Sequence, residues 1–100
     1  MTIFRFSDYG KMLGTRSLGA QVRDDLLMVL AKGGTVGLDF AGVELVSNGF
    51  ADECLGKLLL NMTLEELQQK TTFINLTGLS RVSVSAALRR RYNSVQLSKK

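Results

Sequence analysis

The chain has 100 residues and a net charge of +4, and 45% of its residues are hydrophobic while 22% are charged. This length fits one domain with one core, and the composition is that of an ordinary globular protein. No apolar run approaches the ~20 residues that a membrane-spanning helix needs, and the first residues lack the regions of a signal peptide. We therefore expect a single cytoplasmic domain over residues 1–100.

The residue types that most catalytic sites use are scarce. The chain has no histidine, so it lacks the usual general base and the commonest metal ligand. Its one cysteine, Cys54, cannot form an internal disulfide, and without histidine it argues against a zinc site. Because Cys54 falls in an apolar helical pattern, it is predicted to be a small buried residue and not a nucleophile. We expect no enzymatic activity, no metal and no cofactor.

The first half of the chain predicts a strand, a loop and a helix, followed by a second strand. Residues 2–6 alternate as a short strand does, and a loop to Gly14 leaves room for a second extended piece at residues 11–13. Thr15 or Ser17 is the expected N-cap of the helix, and Gly33 and Gly34 are its expected end. The apolar residues that recur along one helix face are Leu18, Val22, Leu26, Val29 and Leu30.

The second half continues the alternation of strands and helices. The predicted elements are a buried strand at 35–40, an extended piece at 43–46, a helix from about Asn48 to Met62 capped by Ser47 or Asn48, a helical turn at 63–69 with a capping box, a strand at 71–76 and a third helix capped by Ser80. Residues 93–100 are expected to form a frayed basic tail. This order predicts an α/β fold in which about three helices pack on a small mixed, mainly parallel sheet. Whether the first strand pairs antiparallel at an edge stays open.

Three short motifs resemble a known family. They are Thr15-Arg16-Ser17, the run Leu38-Asp39-Phe40-Ala41-Gly42-Val43, and Ser47 followed by Phe50-Ala51-Asp52-Glu53. On these residues the chain resembles the bacterial STAS-like domain of unknown function, a relative of sulfate-transporter and anti-sigma-factor-antagonist domains. The resemblance implies a STAS-like fold with Arg16, Asp39, Gly42 and Phe50 as its structural signature. It also implies a bacterial signalling role through protein–protein contacts, with a histidine-kinase-like or anti-sigma-type ATPase as a candidate partner.

The corner Ser47-Asn48-Gly49 is the first candidate for a regulatory site. In better-known STAS antagonists, a serine at this helix start is phosphorylated by the partner kinase, and the modification abolishes binding. The resemblance puts Gly49 at or next to that position and leaves Ser47 as the only hydroxyl nearby. A helix start can receive an anion, but an ordinary cap is favoured over a phosphorylation switch at Ser47. We favour a protein contact surface at this corner that does not depend on phosphorylation.

The exposed face of the second helix is predicted to extend this contact surface through Asp52, Glu53 and Lys57. Asp52 and Glu53 are adjacent, so on a helix they point about 100° apart and do not form a facing acid–base pair. Asp39 stands near a strand end, where ligand crevices of open α/β sheets form, but a hydrogen bond to a neighbouring turn or helix end is favoured. Self-association of the domain stays open.

A basic C-terminal segment supports a second, different function. The six basic residues of positions 80–100 are accompanied by no acidic residue, so this segment carries +6 and residues 1–79 about −2. Arg89, Arg90 and Arg91 form its densest part and are the candidate contacts for nucleic-acid phosphates. Only Tyr92 is a nearby aromatic residue and no known DNA-binding motif is visible, so a solvated helix end is favoured and nucleic acid is not the expected partner.

Overall fold

A computed structural model of the chain describes residues 1–98. Within these residues, four α-helices and five β-strands alternate, and two 3₁₀ segments lie at Phe6–Tyr9 and Gly56–Leu60. The elements are β1 (Thr2–Arg5), β2 (Met12–Leu13), α1 (Arg16–Ala31), β3 (Val36–Asp39), β4 (Leu45–Val46), α2 (Asn48–Cys54), α3 (Leu64–Lys70), β5 (Thr71–Ile74) and α4 (Gly78–Ser98). The predicted α/β class with its parallel pairing is confirmed.

The strands form two small parallel sheets. The larger has the order β1-β3-β5, with Phe4 and Phe73 on either side of Leu38, and the smaller pairs β2 with β4. The open question about the first strand is thus answered, because β1 pairs parallel with β3. Since parallel strands end at the same edge, the side chains that follow β3 and β5 are brought close together.

The core lies on the face of the larger sheet that carries Phe4, Val36 and Leu38. The three side chains are buried, and the helices contribute further buried residues such as Val22 and Val84. Aromatic rings link the layers, because Phe6 stacks on Phe40 with ring centroids 4.2 Å apart. The opposite sheet face is thinner: Ile3 and Ile74 close over Gly37, whose missing side chain leaves room for them.

The second predicted helix is shorter than expected. α2 ends at Cys54, and the chain continues as a 3₁₀ segment instead of running helically to Met62. The break coincides with Gly56, where an added Cβ would lie 2.9 Å from the Arg91 Cγ and 3.0 Å from the Asp52 Oδ1. α4 therefore packs directly against this glycine, and the backbone tightens at the point of closest approach.

The third predicted helix is longer than expected at both ends. α4 begins at Gly78, and both Gly78 and Asn75 in the preceding turn have positive φ angles. Ser80 therefore lies inside the helix, where it is buried, and is not its cap. The sequence predicted fraying from residue 93, but α4 continues through Ser98. The helix persists because Tyr92 packs on the core and Val95 is half-buried. The last two residues of the predicted basic tail, Lys99 and Lys100, lie outside the described residues.

None of the helices in residues 1–98 combines the length and apolar character that crossing a bilayer requires.

Candidate functional site

Two helix caps place the charged residues of the site. The Thr15 side chain accepts a hydrogen bond from the backbone N–H of Leu18 at 3.1 Å, so Arg16 becomes the first residue of α1. The Ser47 side chain accepts from the backbone N–H of Phe50 at 3.0 Å, which starts α2 and directs Asp52 and Glu53 toward α1. Both caps were among the predicted alternatives, and both are confirmed.

Gly19 lets the two helices approach closely enough for these charges to meet. A Cβ at this position would lie 2.9 Å from both the Glu53 Cβ and the Phe50 carbonyl oxygen. At position 19, only glycine lets α1 pack against α2 without displacing one of the helices. Gly56 has the same role between α2 and α4. The three helices consequently meet at one polar corner.

Asp52 is the centre of this corner. Its side chain is only 10% exposed and accepts two hydrogen bonds from Arg91, from Nε at 2.7 Å and from Nη2 at 2.8 Å. Arg16 Nη1 donates a third at 2.9 Å. The two hydrogen bonds from Arg91, and then the one from Arg16, hold the pKa of Asp52 far below its usual range in spite of burial. Asp52 is therefore ionised at neutral pH, and it ties α2 to α1 and α4.

Glu53 binds the remaining cations. Its carboxylate lies 2.8 Å from Lys57 Nζ, 3.2 Å from Arg23 Nη1 and 3.2 Å from Arg16 Nη1. Arg23 also donates to the backbone carbonyl of Glu53. The bond from Lys57 and those from the two arginines lower the pKa of Glu53. The name "ion-pair network" is used below for Arg16, Arg23, Asp52, Glu53, Lys57 and Arg91.

The prediction that Asp52 and Glu53 lie on an exposed docking face is wrong. Asp52 is buried, Glu53 is half-buried, and the polar atoms of both carboxylates are taken up by arginine and lysine. The physical reason is the long reach of arginine: Arg91 comes from a helix 39 residues away and covers Asp52. Lys57 is half-buried beside them.

The Ser47-Asn48-Gly49 corner stands next to the ion-pair network and keeps an exposed surface. Asn48 is exposed, whereas Ser47 is half-buried as the helix cap. Gly49 lies under Arg16, since an added Cβ would be 3.2 Å from the Arg16 Cγ. The corner and Arg16, whose side chain is 58% exposed, thus form one continuous surface.

The other residues of the family signature have structural positions. Asp39 Oδ1 accepts from Asn75 Nδ2 and from the Ala41 N–H, both at 2.9 Å, and these bonds lower the Asp39 pKa. The side chain therefore joins the turn after β3 to the end of β5, as the turn-binding interpretation expects. Gly42 has φ +82° in that turn, and Phe50 is completely buried in the core.

The three consecutive arginines of α4 do not act together. Arg89 and Arg90 are exposed, while Arg91 turns inward to Asp52. The nucleic-acid patch suggested by the sequence is therefore reduced to two arginines, because a helix points consecutive side chains about 100° apart.

A groove of about 300 Å³ opens between the three helices above Asp52, and it is called the arginine groove below. Its lining consists of Arg16, Asn48, Asp52, Arg90, Arg91 and Ser94. Apart from Asp52, which is neutralised by its two arginines, the lining groups are cationic or neutral hydrogen-bonding groups.

Arg23 and Ser94 are site residues that the sequence analysis did not select. Arg23 follows Arg16 by seven residues, and this spacing puts both on one helix face, so the two-turn periodicity was an available signal. Ser94 belongs to the groove only because α4 stays helical beyond residue 93, and no local pattern in the sequence indicates that.

Comparison with known proteins identifies one match. The family model of the STAS-like domain of unknown function (DUF4325) matches residues 19–80, which is more than half of the chain. The matched part includes both carboxylates of the ion-pair network, whereas Arg16 and Arg91 lie outside it. No curated protein and no solved structure matches the chain.

Proposed function

The chain belongs to the family of STAS-like domains of unknown function, and we propose that it is a regulatory signalling domain that acts by binding another protein. It is proposed to have no catalytic activity of its own. Asp52, which lines the arginine groove, and the neighbouring Glu53 are held ionised by arginine and lysine. A general acid or base needs a pKa near the working pH, so neither carboxylate suits that role.

The rigid corner where α1, α2 and α4 meet is the observation that supports this proposal. Arg16 and Arg91 hold Asp52 from two sides, so the Arg16 guanidinium and the backbone of α2, which carries Asn48, are held in place relative to α1 and α4. A surface that is ordered before binding loses little conformational entropy when a partner docks. The proposed contact surface is therefore Asn48, Arg16 and Arg90, with Ser47 at its edge, and it replaces the one centred on Asp52 and Glu53.

The partner is proposed to be a histidine-kinase-like or anti-sigma-type ATPase, as STAS relatives suggest. The proposal is tested by measuring the affinity of such an ATPase from the same genome for the purified chain. Asn48→Arg should weaken binding by about tenfold or more, since a bulky charged side chain at the centre of an interface costs at least one well-packed contact. The thermal unfolding of the variant should change only slightly, because Asn48 is exposed and a cation added at a helix start costs less than about 1 kcal/mol.

Asn61→Arg is the matched control. Asn61 is also exposed, and it does not line the arginine groove. It should leave the affinity within about twofold, as surface substitutions outside an interface do. Equal affinities of the two variants would refute the proposed surface.

Nucleic-acid binding is the alternative, and the exposed pair Arg89 and Arg90 supports it. It requires an affinity that falls steeply with salt concentration and that drops when either arginine is removed. A duplex that fails to bind at low salt would end this alternative.

A further inference from the structure

The arginine groove has more positive charge than its own carboxylates require. Its lining holds three arginines, Arg16, Arg90 and Arg91, and one carboxylate, Asp52. The surplus is two positive charges around a concave surface. Two further cations, Arg23 and Lys57, bind the neighbouring Glu53 and do not line the groove. Among residues 1–98, the ion pairs involve four of these cations and not Arg90, which is exposed at the groove wall.

The guanidinium groups are oriented by the carboxylate beneath them. Arg91 uses Nε and Nη2 to bind Asp52, and Arg16 uses Nη1 to bind both carboxylates. Within the described residues, these are the only side-chain hydrogen bonds that the two guanidinium groups donate. Their remaining N–H groups are thus held in place and available, which lowers the entropy lost when an acceptor binds.

We propose that the arginine groove binds the phosphate group of a phosphate monoester. Such a group carries nearly two negative charges at neutral pH and presents three acceptor oxygens, which suits several guanidinium donors better than a carboxylate with one charge does. Asn48 and Ser94 add a neutral amide and a hydroxyl at the rim. The volume, about 300 Å³, is at the lower end of the range of ~300–1,000 Å³ for ligand pockets, so it fits a small phosphorylated group.

This inference concerns the same surface as the proposed function, but it does not need a protein partner to be tested. The full chain is titrated at physiological salt with inorganic phosphate, a phosphoserine peptide and AMP, and binding is followed by amide NMR shifts. Saturable binding with shifts at Arg16, Asn48 and Ser94 is expected. A higher affinity for the phosphoserine peptide than for AMP would indicate that the groove binds a phosphorylated protein side chain. A higher affinity for AMP would indicate a small phosphorylated metabolite.

Arg90→Ala and Arg89→Ala are the matched pair of variants. The two arginines are adjacent and exposed, but only Arg90 lines the groove. Arg90→Ala should weaken phosphate binding about tenfold, the effect of one lost charge-assisted hydrogen bond, and Arg89→Ala less than about twofold. Arg16→Lys keeps the charge but removes the fork, and it should also weaken binding while the thermal unfolding confirms that the variant is folded.

Three results would overturn the proposal. The first is the absence of saturable binding below ~10 mM phosphate or peptide, since a specific site of this charge should bind more tightly. The second is an equal loss of affinity in Arg89→Ala and Arg90→Ala. The third is preferential binding of a DNA duplex with a steep salt dependence. Because no partner is present, a failure here leaves the Asn48→Arg test of the proposed function unaffected.

Discussion

The carboxylate of Asp52 is held between two arginines, one 36 residues before it and the other 39 residues after it in the sequence. Breaking such a pair by removing one partner leaves the other charges without compensation, which costs more than the pair contributes when intact. The Asp52→Lys and Glu53→Lys exchanges that an exposed docking face would invite are therefore expected to damage the fold. Loss of partner binding in them would report unfolding and not contact.

Asp52→Ala should lower the free energy of unfolding by about 2–3 kcal/mol, since it removes three charge-assisted hydrogen bonds from a site that is partly open to water. Urea denaturation measures this loss. Asp24→Ala, which removes an exposed carboxylate from α1, is the control and should change the free energy by less than about 0.5 kcal/mol. Similar values for the two variants would show that the ion-pair network does not stabilise the fold.

The same carboxylate predicts how stability depends on pH. In the unfolded chain Asp52 takes up a proton near its ordinary pKa of 3.8, whereas in the folded chain Arg91 and Arg16 hold the pKa well below that value. The stabilisation is therefore complete above about pH 4 and is lost as the pH falls further. Between pH 4.5 and 2.5 the wild-type free energy of unfolding should drop more than that of Asp52→Ala, and parallel pH profiles would contradict this.

The residues that the sequence placed correctly depend on neighbours close in the chain. Thr15 and Ser47 were predicted as caps because a cap bonds an N–H only three residues away. The burial of Asp52 was missed because it depends on Arg91, whose inward direction is set by the register of α4 against Gly56. Adjacent arginines look equivalent in sequence, and only packing separates Arg91 from Arg89 and Arg90.

At the scale of elements, the contact between α1 and α2 depends on Gly19. Gly19→Ala would favour the helix by about 1 kcal/mol, but its Cβ would lie 2.9 Å from a backbone oxygen, and overpacking of this kind costs about 1–3 kcal/mol. We expect a net loss of up to about 2 kcal/mol in the free energy of unfolding, the difference between these two effects. Urea denaturation of the variant measures it.

Gly14→Ala is the control for this substitution. An added Cβ at residue 14 meets no atom within 4 Å, so the exchange should be neutral or slightly stabilising. A Gly19→Ala protein as stable as Gly14→Ala would mean that α1 and α2 can separate without cost.

The element order was predictable because the longer strands and α1 have clear hydrophobic patterns, and the caps and glycines mark most boundaries. The end of α2 was not, since the apolar stripe continues to Met62 and the helix stops only where α4 presses on Gly56. The extension of α4 beyond residue 93 was missed because of a different contact, since Tyr92 packs on the core and Val95 is half-buried. Both errors arise from tertiary contacts that leave no local trace in the sequence.

At the scale of the whole molecule, one core joins the four helices and four of the five strands. The buried cluster includes residues from each of the four helices and from β1 to β4, for example Leu13, Val46, Leu67 and Ala87. A chain of this size with a single core is expected to unfold in one cooperative step. The ion-pair network, the arginine groove and the core should therefore be lost together when the domain opens.

Cys54 provides a direct test of this cooperativity. Its side chain is completely buried, and burial raises the pKa of the thiol to about 12, so a thiol reagent at neutral pH should react only with opened molecules. The labelling rate should then follow the equilibrium for global unfolding, and the loss of about 2–3 kcal/mol expected for Asp52→Ala should raise it about 30- to 160-fold. If labelling were instead insensitive to urea and to Asp52→Ala, α2 would open locally while the rest of the core stayed folded, and the polar corner would be a hinge and not a fixed surface.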